Sequence, residues 1–167
     1  MYYSCDVGKF LNSDRGLLDV KNYDYDSLMG TTFSMDKKQR IQSFASSSSH
    51  AMTLMAIDLD KNGKPTKWMV ENSWGAGAGY QGHLIMTDEW FNEYTFRLVV
   101  ETKYVTPKAL EVLKQKPIRL PAWDPMLPAK NNQPTNTLHR LVRCKVFRPT
   151  LLKNVCEHKK ELRIFFR

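Results

Sequence analysis

His50 and Asn72 are the two side chains whose types and spacing support chemistry together. Between them lie two apolar, β-like runs, Met52 to Leu59 and Trp68 to Val70, separated by Asp60-Lys61-Asn62-Gly63-Lys64. This is a hairpin signature. A three-residue loop of Lys61, Asn62 and Gly63, with glycine in the left-handed position, pairs Asp60 with Lys64 and therefore Met52 with Asn72 and His50 with Trp74. His50 and Asn72 then share one face as diagonal neighbours, with Cα atoms about 7–8 Å apart. A two-residue loop would send them to opposite faces. The shared face also carries Leu54, Trp68, Val70 and Trp74.

Two readings of that pair stand side by side. One is a satisfied polar pair inside a β core, since buried polar groups usually find each other. The other is catalytic. A cysteine nucleophile needs an imidazole to take its proton and a third group to hold the ring in one orientation and tautomer. Asn72 offers an amide oxygen for that purpose without adding charge, and the Trp74 indole is placed to shield the bond from water.

The elements that must position the pair follow from capping and turn signals. Ser34 is expected to cap a short helix through Ile41, which feeds the serine run Ser46 to Ser49, read as a loop. Gly82 to Met86 is expected as a strand, Thr87 as the cap of a helix through Asn92, and Thr95 to Val100 as a further strand. Thr106-Pro107 opens one more helix to about Gln115, with proline at the first helical position.

Hydrophobic residues make up 42% and charged residues 25% of the 167, which is the profile of a globular domain with a real core. No apolar run approaches the ~18 residues of a membrane span. The start, Met1-Tyr2-Tyr3-Ser4-Cys5-Asp6, is neither basic nor apolar, so no secretory leader is read and a cytoplasmic address is expected. The net charge of +8 is unevenly placed: residues 1–126 hold 15 basic and 15 acidic side chains, residues 127–167 hold 10 and 2. The change follows Pro121, Pro125 and Pro128, which puts a boundary near Met126. Residues 127–167 are expected to be a weakly packed basic appendage, with a partial apolar stripe over Leu151 to Phe166 suited to a short helix.

Other motifs reduce to structure. Asp58-x-Asp60-x-Asn62-Gly63 copies the first half of a calcium loop, but its twelfth position is Met69 where a glutamate is required, so a turn is expected. Gly75, Gly77, Gly79 and Gly82 lack the Gly-Lys-Ser or Gly-Lys-Thr of a phosphate cradle and read as close-approach loop glycines. His83 is read as structural. Cys144, Cys156 and His158 lack zinc-finger spacing. No metal or cofactor is expected.

Ser49-His50-Ala51-Met52 followed by Trp68-Met69-Val70-Glu71-Asn72-Ser73-Trp74-Gly75 resembles the histidine and Asn-Ser-Trp-Gly blocks of papain-like cysteine peptidases. Cys5-Asp6-Val7-Gly8-Lys9-Phe10, Asp88-Glu89-Trp90-Phe91-Asn92-Glu93-Tyr94 and Pro121-Ala122-Trp123-Asp124-Pro125-Met126 narrow the resemblance to the bleomycin hydrolase and bacterial aminopeptidase C branch. The resemblance spans residues 4–126. It implies an α+β papain-like fold in part, the β-rich half that bears histidine and asparagine. It also implies a cytoplasmic thiol aminopeptidase acting on peptides and built as a homohexamer, with His50 as general acid and base, Asn72 as its orienter and Trp74 as shield.

The family's nucleophile block, a Gln and a Cys-Trp pair on the helical half, has no counterpart here. Cys5 matches a non-catalytic family cysteine and is expected in core or strand packing. Cys144 and Cys156 follow His50 and Asn72 outside the resemblance. None is expected to be the nucleophile, so the chain by itself is expected to be an inactive C-terminal part of the enzyme. Two alternatives belong to other classes: a non-catalytic peptide- or partner-binding product, and nucleic-acid association through the basic tail.

Overall fold

In a computed structural model of the chain, residues 1–121, 123–125 and 162–165 are described. Strands β1 (Tyr2–Cys5), β2 (Leu11–Asn12), β3 (Leu17–Leu18), β4 (His50–Leu59), β5 (Pro65–Glu71), β6 (His83–Thr87), β7 (Thr95–Val100) and β8 (Leu162–Phe165) form one sheet in the order β2-β3-β6-β5-β4-β1-β7-β8. The β3–β6 pair is parallel and the other pairs are antiparallel. Helices α1 (Tyr25–Met29), α2 (Lys37–Gln42), α3 (Asp88–Tyr94) and α4 (Pro107–Lys114) complete the described elements with one 3₁₀ turn, Thr102–Tyr104.

Side chains of a strand alternate between faces, and burial follows that alternation. Met52 and Leu54 on β4, Trp68 and Val70 on β5, and Leu84 and Met86 on β6 are buried in turn. Helix α3 lies on this face. Its Trp90, Phe91 and Tyr94 are buried, the Phe91 ring stacks on Trp68 at 4.7 Å, and Trp68 Nε1 donates to Asp88 Oδ1 at 3.0 Å. Trp90 Nε1 donates to the Lys9 carbonyl at 2.7 Å, so its indole brings apolar area into the core without an orphaned donor.

The β4–β5 turn has the expected form. Gly63 N–H donates to the Asp60 carbonyl at 2.9 Å, Asp60 N–H donates to the Lys64 carbonyl at 2.8 Å, and Gly63 takes a φ of 70° that a side chain would disfavour. Beyond the turn the ladder slips twice. Leu54 pairs with Val70 but Ala56 with Met69, leaving Met55 extra on β4; Asp58 pairs with Lys67 but Leu59 with Pro65, leaving Thr66 extra on β5. The two bulges fall on opposite strands and cancel. Thr53 therefore faces Glu71, the same register as Asp60 facing Lys64.

Several elements depart from expectation. The N-cap of α2 is Asp36, not Ser34: its carboxylate accepts from Gln39 N–H at 2.7 Å while Gln39 Oε1 accepts from Asp36 N–H at 2.8 Å. A capping box satisfies two orphan donors at once and a carboxylate suits the positive helix end, which a serine two residues earlier cannot match. Helix α1, not expected, buries none of its residues and is held by its Asp24 cap and by Gly30 in the left-handed conformation, so it left no apolar periodicity to read. Helix α3 runs two residues past Asn92 because Tyr94 still has core to face. Thr87 and Thr106 cap α3 and α4 as expected, and α4 ends at Lys114.

Within the basic C-terminal region, Leu162–Phe165 is a strand and not helix, pairing antiparallel with β7 from Arg97↔Phe165 to Val100↔Leu162. An open sheet edge offers a row of backbone donors and acceptors, a stronger call on an apolar segment than a partial helical stripe. The remainder of 127–167, with Cys144, Cys156 and His158, lies outside the described residues, as does Met126 at the expected boundary.

Cys5 is fully buried in β1, and burial pushes its thiol up to about 12, against about 8.5 for a free thiol. The folded chain thus keeps a proton that the unfolded chain loses. Stability from this group is complete below the unfolded pKa and is lost as pH rises from there toward 12. Denaturant titrations from pH 8 to 11 should show stability falling more steeply for the native chain than for Cys5→Ala. An alkylating agent at pH 8 should leave the Met1–Lys9 peptide unmodified until the chain is unfolded; rapid native labelling would contradict the burial.

Candidate active site

The site forms where three strands end together. His50 opens β4 and pairs with Cys5 on β1, while Asn72 follows Glu71, the last residue of β5. The hairpin register brings the two onto one face, and the imidazole Nε2 lies 2.8 Å from Asn72 Oδ1. The Trp74 ring sits beside the imidazole, with centroids 5.3 Å apart and planes inclined at 32°, and 46% of the residue is exposed. The expected trio of His50, Asn72 and Trp74 is therefore brought together.

The hydrogen bonds decide the tautomer. Ser73 N–H also points at Asn72 Oδ1, at 2.8 Å. A backbone N–H only donates, so the atom it meets is the amide oxygen, and the imidazole nitrogen on the same oxygen must carry a proton. His50 thus has its hydrogen on Nε2, leaving Nδ1 with a lone pair when the ring is neutral. The orientation has a cost, because Asn72 Nδ2 is buried with no partner among the described residues. Rotating the amide would turn that nitrogen toward Ser73 N–H, donor against donor.

Asn72 is itself held from the far side. Its N–H donates to the Gly82 carbonyl at 3.0 Å, closing the glycine loop that carries Trp74. That loop packs tightly: a Cβ on Gly79 would stand 2.4 Å from the His83 carbonyl oxygen, at a φ of 59°. Close approach is thus the role of Gly79 alone; Gly75 and Gly77 face open space, Gly82 makes ordinary contact, and Gly75 and Gly82 serve instead through φ values of 90° and 86° that a side chain would disfavour. His83 takes its own contact at 3.1 Å from Nδ1 to the Gln81 carbonyl, apart from the site. Asp60 Oδ1 accepts from Asn62 and Lys64 N–H at 2.8 Å each, so the calcium-like motif spends its carboxylate on the turn. No group of three potential metal ligands occurs among the described residues.

Sequence reasoning passed over Asp6 and the donors around it. Asp6 is 8% exposed. Its Oδ2 accepts from Ser46 Oγ at 2.8 Å and Ser47 N–H at 3.4 Å, and its Oδ1 accepts from Ser49 Oγ at 3.3 Å. The serine run read as a plain loop is thus the donor set of a buried carboxylate. An aspartate flanked by apolar residues near the start, and clustered hydroxyls near position 50, were the available signals; only the fold joins them across 40 residues.

The tautomer assignment is open to direct measurement. Imidazole nitrogen shifts of neutral His50 should report one form, with the proton on Nε2. Asn72→Ala should loosen that preference roughly fivefold, the equivalent of about 1 kcal/mol for one hydrogen bond. Asn72→Asp should keep the tautomer, because a carboxylate oxygen still accepts from Nε2–H. A native ring protonated on Nδ1 would contradict the hydrogen-bond assignment.

The model of the Peptidase C1-like family matches residues 1–127. Human bleomycin hydrolase is 47% identical over 129 residues, covering 75% of this chain and 28% of its own length. Aminopeptidase C of Lactococcus lactis subsp. lactis is 41% identical over 126 residues, covering 75% and 29%. The crystal structure of PepW from Lactobacillus rhamnosis superposes with a TM-score of 0.70 at 39% identity, over 75% of this chain and 28% of that one. The chain thus spans under a third of the length of these relatives. Within residues 1–127 the sheet and helices are the β-rich part of a papain-like α+β fold, and the chain belongs to the Peptidase C1-like family of cysteine peptidases.

Proposed function

We propose that this chain supplies the histidine and asparagine of a cysteine aminopeptidase of the bleomycin hydrolase and aminopeptidase C type, acting on the N-terminal residues of peptides. The observation that carries the reading is the His50–Asn72 bond with Ser73 N–H on the same oxygen, which leaves Nδ1 as a proton acceptor.

In this mechanism a cysteine thiol gives its proton to His50 Nδ1 as its sulfur bonds to the substrate carbonyl carbon. The imidazolium, steadied by Asn72, then protonates the departing amine as the C–N bond breaks, leaving a thioester on the cysteine. A water molecule next gives its proton to the same nitrogen and adds to the thioester carbon; the thiolate leaves and recovers that proton. Trp74 limits water access to the His50–Asn72 bond.

The nucleophile is not Cys5. Its sulfur is buried and its pKa of about 12 keeps it a thiol. We place the reactive cysteine on polypeptide additional to this chain, in a complete enzyme that is cytoplasmic and homohexameric, with residues 127–167 an addition to the peptidase unit that contributes β8 to the edge of its sheet. A chain without that cysteine is inactive on its own, and the burial of Cys5 also favours a second reading, a half-site that binds peptide or a partner without cleaving.

In a complete enzyme carrying this segment, His50→Ala should slow acylation by the 10²–10⁴-fold typical of lost general acid–base catalysis, and Asn72→Ala by less. Single-turnover kinetics on an aminoacyl fluorogenic substrate measures both, and near-normal turnover by His50→Ala would sink the catalytic assignment. The purified chain alone should show no alkylation-sensitive hydrolysis of the same substrate; if it does, one of its own cysteines is the nucleophile.

A further inference from the structure

We propose that Asp6 is the positioning residue for His50: its buried carboxylate fixes the Ser46–Ser49 loop and so sets where the imidazole stands. The proposal rests on the catalytic reading of His50 only for its consequence in turnover; the positioning itself is a property of this chain.

His50 is the first residue of β4, so no regular structure precedes it on its own strand. What holds the entering chain is a set of contacts centred on β1. Ser49 N–H donates to the Cys5 carbonyl at 3.0 Å, and Ser48 Oγ donates to Ser4 Oγ at 2.9 Å. Asp6 accepts from Ser46 Oγ and Ser47 N–H on one oxygen and from Ser49 Oγ on the other, a hydroxyl it shares with the Cys5 carbonyl at 3.4 Å, so a single carboxylate spans the loop. Asp6 is anchored in turn, because its N–H donates to the Tyr94 carbonyl at 3.0 Å, at the end of α3.

The chemistry of this arrangement exceeds what a loop staple requires. A carboxylate at 8% exposure is costly unless its lone pairs are filled, and here they are filled by groups one to four residues before the imidazole. Removing it leaves the buried Ser46 hydroxyl and the Ser47 N–H without this acceptor and hands the Ser49 hydroxyl to the Cys5 carbonyl alone, so the loop that leads into His50 loses its side-chain anchor. Catalytic geometry is steep: a misplacement of about 1 Å can cost about 10²-fold in rate. Asn72 restrains the ring from the β5 side only. Asp6 restrains the backbone that carries it.

The test uses the full 167-residue chain, isotopically labelled. Native protein should give one His50 tautomer and a slowly exchanging Ser49 amide. In Asp6→Ala the His50 nitrogens should report a mixture of tautomers, and Ser49 exchange should quicken about tenfold as the loosened loop opens its N–H bond to the Cys5 carbonyl more often. The His83 nitrogens should not move, and Asp6→Asn, which keeps one acceptor oxygen, should fall between native and alanine. Should Asp6→Ala fail to fold, Ser46→Ala with Ser49→Ala removes two donors from the other side of the contact and should reproduce the same two changes. A folded variant of either kind that keeps the native tautomer and Ser49 protection while its thermal midpoint falls would overturn the proposal and leave Asp6 a fold staple. That result is separable from failure of the catalytic reading, which would show as turnover by His50→Ala in the complete enzyme with the tautomer effect of Asp6→Ala intact.

Discussion

The antiparallel register between β4 and β5 is the constraint on which the site depends. A shift of one residue in either strand would turn His50 and Asn72 to opposite faces and expose the row formed by Met52, Leu54, Trp68 and Val70. Two forces oppose that shift. The Asp60–Lys64 closure sets the parity at the turn, and burial of the apolar row against α3 sets it at the other end. Between these ends the ladder carries two bulges. They are tolerated because they cancel, and the first leaves Met55 at the surface, where an unpaired residue costs little.

Position alone does not make a histidine useful to a thiol; the proton must sit on the correct nitrogen. Here a backbone amide makes that choice. Ser73 N–H identifies the Asn72 oxygen, the oxygen demands a proton from His50 Nε2, and Nδ1 is left open. An amide does this without adding a charge beside the ring. The arrangement leaves Asn72 Nδ2 buried without a partner among the described residues, a cost it shares with Arg40 Nε, Thr95 Oγ1 and Tyr104 OH elsewhere in the fold.

Carboxylate and thiol follow opposite rules within two adjacent residues. Cys5 lies across from His50 and, surrounded by apolar groups, is kept protonated and inert. Asp6 lies one residue further, at the rim of the core, where hydroxyl and amide donors fill its oxygens. The difference is what each side chain meets on burial, since desolvation outweighs the single Tyr3 hydrogen bond at the thiol while several donors meet the carboxylate.

Much of this was legible in the sequence because it is local. Gly63 and Asp60 specify the turn, the alternation of apolar residues specifies the buried face, and Thr87 and Thr106-Pro107 announce their helices through caps that need only neighbouring atoms. The His50 and Asn72 pairing followed, with Trp74 beside it, because parity in a hairpin is a counting argument. What the tertiary structure decided is what depends on groups distant along the chain. The insertion of β1 between β4 and β7, the contact of Asp6 with a loop 40 residues away and the pairing of Leu162–Phe165 with β7 all join segments whose meeting no local pattern encodes. Helix α1 also escaped detection, because caps without an apolar stripe give no period to count. The tautomer of His50 needed atomic positions too, since it turns on which atom of Asn72 faces Ser73 N–H, and residue type leaves both orientations open.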